Sequence, residues 1–349
     1  MTRCVLVTGA GGVGKTTISA ALGVTAAQNG LHVLVLTVDP ARRLADALGL
    51  KTISNEPSGV PTVENLSAAM LDVTAAWEAI VRRHAPADAA ERLLVNPFFR
   101  AIADRFPAAQ AYAAGEEMAV YLESGRWDLV IVDTPPAAGG IDFFAAPTGM
   151  KQLVGGKLLR FLTGAGMPGR RALYRVTARP VFRVVDALLG GPLLEAIADF
   201  LLDLRSMYDG LAARAADIER HFSRSTPIIA TTAEPTPLRE ADRFFSALPK
   251  SLPSPELVVF NRVLPDEWAN GKRAPNGLDD SVREVLKRNL ARWSDEVRRQ
   301  SDAREEFVAQ HRVGLARVPW IASPPTDVEA LSALIAAADG FEQLDLTSP

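Results

Sequence analysis

Residues 5–17 read VLVTGAGGVGKTT, and this stretch constrains the possible fold more than any other in the chain. It satisfies two patterns at once. Gly9, Gly11 and Gly14 spell G-x-G-x-x-G, a dinucleotide-binding fingerprint. Gly9, Gly14, Lys15 and Thr16 spell G-x-x-x-x-G-K-[ST], a triphosphate-binding loop. Both need a strand, a glycine turn and a helix in that order. Residues 4–8 are apolar and β-branched, and residues 18–28 are rich in Ala and Leu, so either pattern finds its context. A second strand is expected over residues 32–38, with Asp39 at its tip. An acidic residue there suits a ribose as well as a triphosphate site, so Asp39 does not separate the two.

Lys15 and Thr16 do. A dinucleotide site needs close backbone approach to a pyrophosphate and has no use for an ammonium at that point. A triphosphate site needs Lys15 to neutralise the β/γ oxygens and the Thr16 hydroxyl to hold Mg²⁺. The backbone of Gly9, Gly11, Gly12, Val13 and Gly14 would wrap the phosphates, with Lys15, Thr16 and Thr17 opening the helix whose dipole adds attraction. A second discriminator lies far away. WDLVIVDTPP carries an apolar strand over residues 129–132 that closes on Asp133. Apolar on both faces, it reads as a buried parallel strand. A carboxylate at its tip is placed for a second, water-mediated contact to Mg²⁺; the alternative is an Asp that only caps a turn. The late strand ELVVFN ends at Asn261 and continues with Arg262, Val263 and Leu264, without the N-K-x-D of guanine readers, which favours ATP.

The remaining composition narrows the class. With 349 residues, 48% of them hydrophobic, the chain suits one large α/β domain or two smaller ones. A net charge of −3 leaves no nucleic-acid footprint. One cysteine excludes a disulfide framework and a zinc site with two thiolates from one chain, and Cys4 itself reads as core. No signal peptide and no uncharged apolar run of about 18 residues is evident, so a cytoplasmic protein is expected, with peripheral membrane association as an alternative.

With these residues in hand, the chain resembles the arsenite-pump-driving and tail-anchored-protein-targeting ATPases. The motifs come in order: GAGGVGKTT resembles their deviant phosphate loop, TVDPARRLADALG the first switch and VIVDTPP the second. TTAEPTPLREADRF resembles the stretch with a nucleotide-contacting glutamate, which maps to Glu234. VVFN resembles the strand ending in the adenine-reading Asn261, and VPWIASPPTDVEAL the adenine loop around Pro319. The resemblance implies that Asp39 orients the attacking water, a role compatible with a carboxylate held near a γ-phosphate, whether or not Asp39 also caps a helix begun by Pro40.

Three departures stand out. The family's signature lysine, which reaches a partner's phosphates across a dimer, is Ala10 here. Slow turnover, a substitute cation such as Arg42 or Arg43, or a related partner chain would each follow, although both arginines also fit a solvated helix face. The C-x-x-C pair that binds zinc between two targeting subunits is missing, and so are the thiolates that bind arsenite. After Pro136 comes AAGG in place of Thr-Gly-His.

Between the second switch and residue 226 the chain reads as helical. Leu194, Ile197, Leu201, Leu204, Tyr208 and Leu211 form a narrow seam in a helix begun by Pro192. In the resembled targeting enzymes this region builds a hydrophobic client groove; simple packing on the core is the alternative. Residues 73–124 form a second helical portion, in which Glu116 and Glu117 are expected at the surface. A third helix over residues 278–310 carries alternating charges and reads as a solvated or interface helix.

The expectation is therefore an α/β phosphate-loop NTPase with a mostly parallel, doubly wound sheet and an inserted helical subdomain. The ATPase core would comprise residues 1–72, 125–147 and 226–349, and the helical subdomain residues 73–124 and 148–225. The implied function is an ATP- and Mg²⁺-dependent switch, working as a homodimer or as a heterodimer with a paralogous ATPase. A hydrophobic protein client or a membrane partner is implied, and no nucleic acid. A weakly hydrolysing subunit of a hetero-complex is the alternative.

Overall fold

The computed structural model describes residues 2–38, 43–105, 107–135, 137–155, 200–248, 252–270 and 279–348. Among the described residues eight strands form one sheet: β1 (Arg3–Gly9), β2 (Val33–Thr37), β3 (Ser58–Gly59), β4 (Leu66–Met70), β5 (Leu129–Asp133), β6 (Thr226–Thr231), β7 (Leu257–Val263) and β8 (Gly314–Pro319). Their order is β3-β4-β2-β5-β1-β6-β7-β8. Seven run parallel, and only the two-residue β3 is antiparallel to its neighbour. The sequence explains the order. β2 (VLVLT) and β5 (LVIVD) are buried at every position, as strands covered on both faces must be, and they sit near the middle. The short, exposed β3 takes the edge.

α1 (Lys15–Gln28) is Ala-rich and buried around much of its circumference, with Ile18, Ala20, Leu22 and Val24 wholly inside the core. It packs against α11 (Val328–Ala336), whose Leu331 and Leu334 join the same apolar cluster. Helices between them, among the described residues, include α2 (Arg43–Ala47), α3 (Val73–His84), α4 (Ala87–Val95), α5 (Pro97–Arg105), α6 (Pro107–Glu123), α7 (Ala137–Gly155), α8 (Tyr208–Phe222), α9 (Pro235–Ala247) and α10 (Asp280–His311).

The chain divides into two compact units. One comprises residues 1–71, 121–141 and 224–349 and contains the sheet. The other comprises residues 72–120 and 142–223 and is helical among its described residues. The helical unit has its own core. Trp77 meets Phe99 edge-on and stacks on Tyr112, both at 5.8 Å between centroids. Phe143, Phe144 and Phe222 form a second aromatic cluster.

Two expectations change here. Glu116 is not a surface residue: it is 2% exposed, and Glu117 is half-buried. Glu116 Oε2 accepts from Arg214 Nε of α8 at 2.6 Å, and Arg83 of α3 binds its other oxygen. The two guanidiniums come from distant sequence, so local reading could not supply the partners that make burial affordable. The seam through residues 194–211 is not one helix either. The chain turns at Ser206 and Met207, Leu201 and Leu204 are only half-buried, and α8 starts afresh at Tyr208. Pro192, Leu194 and Ile197 lie outside the described residues.

Candidate functional site

β1 delivers its last residue, Gly9, against β6. A Cβ on Gly9 would stand 2.0 Å from the Ala230 carbonyl oxygen, so only glycine lets the strands close here. The chain then turns through Gly12 and reaches Gly14, which is left-handed at φ +97° and is the N-cap of α1. A Cβ on Gly14 would meet Asn261 Nδ2 at 2.2 Å. The loop is thus held tightly on its β6 and β7 sides, and α1 opens at its end with a helix N-terminus suited to an anion.

The side chains of Lys15 and Thr16 diverge at that point. Lys15 is 8% exposed, and its ammonium folds back over the loop, donating to the carbonyls of Gly9 at 3.1 Å and Ala10 at 2.9 Å. Thr16 Oγ1 donates to Asp133 Oδ2 at 2.7 Å. Thr37, at the end of β2, donates to the same oxygen at 3.0 Å. The parallel register places Thr37 and Val7 opposite Asp133, so three neighbouring strands converge on the carboxylate, which is 1% exposed. Thr134 braces the turn after it, its hydroxyl donating to the Val7 carbonyl at 3.0 Å.

Asn261 and Arg262 grip the loop from the β7 side. Asn261 Nδ2 donates to the Val13 carbonyl at 2.8 Å, and Arg262 Nη2 to the Gly12 carbonyl at 2.9 Å. Arg262 is left-handed at φ +59°, and its amide is steadied by Asn261 Oδ1 at 2.9 Å. Two consecutive loop carbonyls are thereby held on the side of β7, next to an irregularity in the β7–β8 pairing.

The other expected residues sit around this edge. Glu234 is exposed and caps α9 after β6, without a side-chain capping bond. Pro319 ends β8 opposite Val263, and the Trp320 amide donates to the Val263 carbonyl at 2.8 Å. Gly11, Gly12, Val13 and Thr17 lie in the loop and first turn of α1. Asp39, Pro40 and Arg42 lie outside the described residues; Arg43, the first residue of α2, is exposed. Ala10 is buried. The fold thus gathers Gly9 to Thr17, Asp133 and Asn261 at the C-terminal edge of one parallel sheet, where such sheets bind ligands.

These residues fit a Mg²⁺-bound triphosphate. Thr16 and Asp133 offer hard oxygen donors side by side, the donor chemistry of Mg²⁺. Among the described residues no group of three or more His, Cys, Asp or Glu could cage a metal, so a metal here would draw its other oxygens from phosphate and water. Sequence reading passed over Thr37, Thr134 and Arg262. Thr37 was legible as the hydroxyl ending an otherwise aliphatic strand, whereas Arg262 carried no signal until its backbone conformation was known.

A family model described as anion-transporting ATPase matches residues 2–285. The chain belongs to the anion-transporting ATPase family. Relatives include an ATPase GET3 of Malassezia globosa, 24% identical over 73% of this chain and 71% of that protein. A putative arsenical pump-driving ATPase 1 of Aquifex aeolicus is 28% identical over 76% of this chain and 64% of its own length. An uncharacterized protein of Streptomyces coelicolor is 29% identical over 78% and 66%. Membership of the anion-transporting ATPase family settles the choice left by the opening glycines: this is the loop of an ATPase family, on a mostly parallel phosphate-loop sheet.

Proposed function

We propose that this chain binds Mg²⁺-ATP in the loop of residues 9–17 and hydrolyses it, using the nucleotide state to switch the helical unit between conformations. The observation that carries the reading is the Thr16–Asp133 pair, a hydroxyl and a carboxylate from distant sequence joined beside the glycine loop. Lys15 would leave the Gly9 and Ala10 carbonyls for the β/γ oxygens, Thr16 would bind the metal directly, and Asp133 would hold it through water. When bound, Mg²⁺ would neutralise charge developing on the β- and γ-oxygens. Asp39 would orient the attacking water, with Glu234, Asn261 and Pro319 around the nucleoside. Asn261 retains one N–H and one oxygen lone pair beyond the loop contacts described above, which is the pattern an adenine edge needs.

In this reading residues 1–72, 125–147 and 226–349 form the ATPase core, and residues 73–124 and 148–225 form the helical subdomain for a hydrophobic client or a membrane partner. The protein would act in the cytoplasm as a homodimer. Lys15→Ala should abolish Mg²⁺-ATP binding, and Asp39→Asn should preserve binding while reducing hydrolysis. Undiminished hydrolysis by Asp39→Asn would remove Asp39 from its assigned role.

Ala10 favours a second reading, in which the chain is the weakly hydrolysing half of a heterodimer with a paralogous ATPase. A buried alanine has no cation to offer a partner's phosphates. Steady-state turnover of the chain alone, of Ala10→Lys, and of the chain mixed with a paralogue separates the two. Ordinary turnover by the chain alone would defeat the heterodimer reading.

A further inference from the structure

α10 is 32 residues long, yet its buried residues are Ser294, Val297, Arg304 and Phe307, all in its C-terminal portion. Residues 280–292 contribute none, a length of about 20 Å of helix. Ser294 is the first buried residue of the helix, and its hydroxyl donates to the Ala269 carbonyl at 2.6 Å. The segment before it is nevertheless apolar along one side. Val282 is 50% exposed, Val285 49% and Trp293 49%. With the half-buried Leu286 and Leu290 they fall within an arc of about 140° on a 3.6-residue helix. Trp293 meets Trp268 edge-on at 5.7 Å, which places a second indole at the end of the stripe.

The charges are sorted around this arc. Arg283 and Lys287 line one margin, and Arg288 and Arg292 the other. Asp280 and Glu284 lie on the opposite side of the helix. Arg283 is paired with Asp280 at 2.8 Å, while Lys287, Arg288 and Arg292 are exposed. Pairing with a second copy through this stripe would set basic margin against basic margin, which is repulsive. A flat anionic surface meets both margins at once and leaves the carboxylates facing water. Basic margins flanking an apolar stripe that ends in Trp are the arrangement of interfacial helices.

We propose that residues 280–293 form a membrane-surface element that lays the Val282–Val285–Trp293 stripe on an anionic lipid interface. The element binds on the membrane and does not cross it, since no described helix is long and apolar enough to span a bilayer. This inference is independent of the ATPase reading, because no residue of the glycine loop takes part.

Co-sedimentation of the full chain with phosphatidylcholine vesicles, with and without about one-third phosphatidylglycerol, tests it. Binding is expected on the anionic vesicles alone, weakening with salt. Neutralising Lys287→Gln and Arg288→Gln together should lower partitioning about 25-fold, at about fivefold per cation. Trp293→Ser should lower it as well, and thermal melts should show both variants folded. No binding to anionic vesicles, equal binding to neutral ones, or binding untouched by the variants would overturn the proposal. So would a wild type that ignores vesicles but is a dimer by sedimentation velocity and becomes monomeric as Trp293→Ser. The same holds if it ignores vesicles and instead binds a synthetic amphipathic helix flanked by glutamates.

Discussion

Thr16 and Asp133 are 117 residues apart in sequence and 2.7 Å apart in space. The contact exists because β1 and β5 are parallel neighbours in register, so the turn after one strand and the tip of the other share an edge. Asp133 Oδ2 also accepts from Thr37 Oγ1 at 3.0 Å, so two hydroxyls donate to one carboxylate oxygen.

Replacing Asp133 with Asn keeps an oxygen but removes the charge that would hold the metal's shell. We expect Asp133→Asn to weaken Mg²⁺-dependent nucleotide binding about 10- to 100-fold, the range for losing a hydrogen bond to a charged group. Metal-free binding should change little. Titration of a fluorescent ATP analogue with and without Mg²⁺ reads both, and equal losses in the two conditions would refute a metal role.

The Asn261 and Arg262 grip on the loop makes a different prediction. Asn261→Ala frees the Val13 carbonyl and deprives the Arg262 amide of its acceptor, at a cost of about 1–2 kcal/mol. Arg262→Gly removes the Gly12 contact but also relieves a left-handed non-glycine residue, a gain of about 1 kcal/mol. Stability of Arg262→Gly should therefore stay near wild type while nucleotide affinity falls. Parallel thermal melts and binding isotherms would reveal a purely structural Arg262 as a loss in the melt alone.

Glu116 lies between Arg83 and Arg214 inside the helical unit. Glu116→Ala leaves Arg214, whose side chain is 11% exposed, without its buried counter-ion. The expected loss is about 3–5 kcal/mol, with Glu116→Gln losing less because it can still accept. Urea unfolding followed by circular dichroism checks it, and a loss under about 1 kcal/mol would mean that water reaches the cluster.

His84 packs on Gly210 in the same unit, where a Cβ would approach its Nδ1 to 2.5 Å. Burial pulls its pKa below the ordinary 6.5, outweighing the opposing pull of Glu116, while Arg83 and Arg214 lower it further. The unfolded chain then binds more protons than the folded one, so the stability His84 contributes is present above about pH 6.5 and is lost as pH falls below it. The difference in stability between wild type and His84→Gln should accordingly shrink as pH falls through that window. A difference that does not vary with pH would show that His84 titrates normally.

Much of the candidate site was legible beforehand because it is local. Gly9 to Thr17 form one strand–turn–helix unit whose chemistry is set by neighbours in sequence, and Asp133 announced itself by ending an aliphatic strand. Cys4 likewise read as core, and it is buried with its thiol pushed up to about 12 by desolvation. The role of Arg262 and the burial of Glu116 were not legible, because each depends on a partner brought close only by the fold. The helix break at Ser206 and Met207 was not legible either, because the spacing of apolar residues by three and four continues across the turn.

By itself, then, the sequence determined the glycine loop and the parallel α/β class, since backbone conformation and strand burial follow from short runs of glycine, β-branched and aliphatic residues, and its ordered motifs carried the resemblance to the ATPase family. Tertiary structure decided what those runs meet: which strands lie side by side, which carbonyls Asn261 and Arg262 hold, and which glutamate is enclosed by arginines. Those outcomes rest on strand order and helix packing, and no local propensity encodes a contact between residues a hundred positions apart.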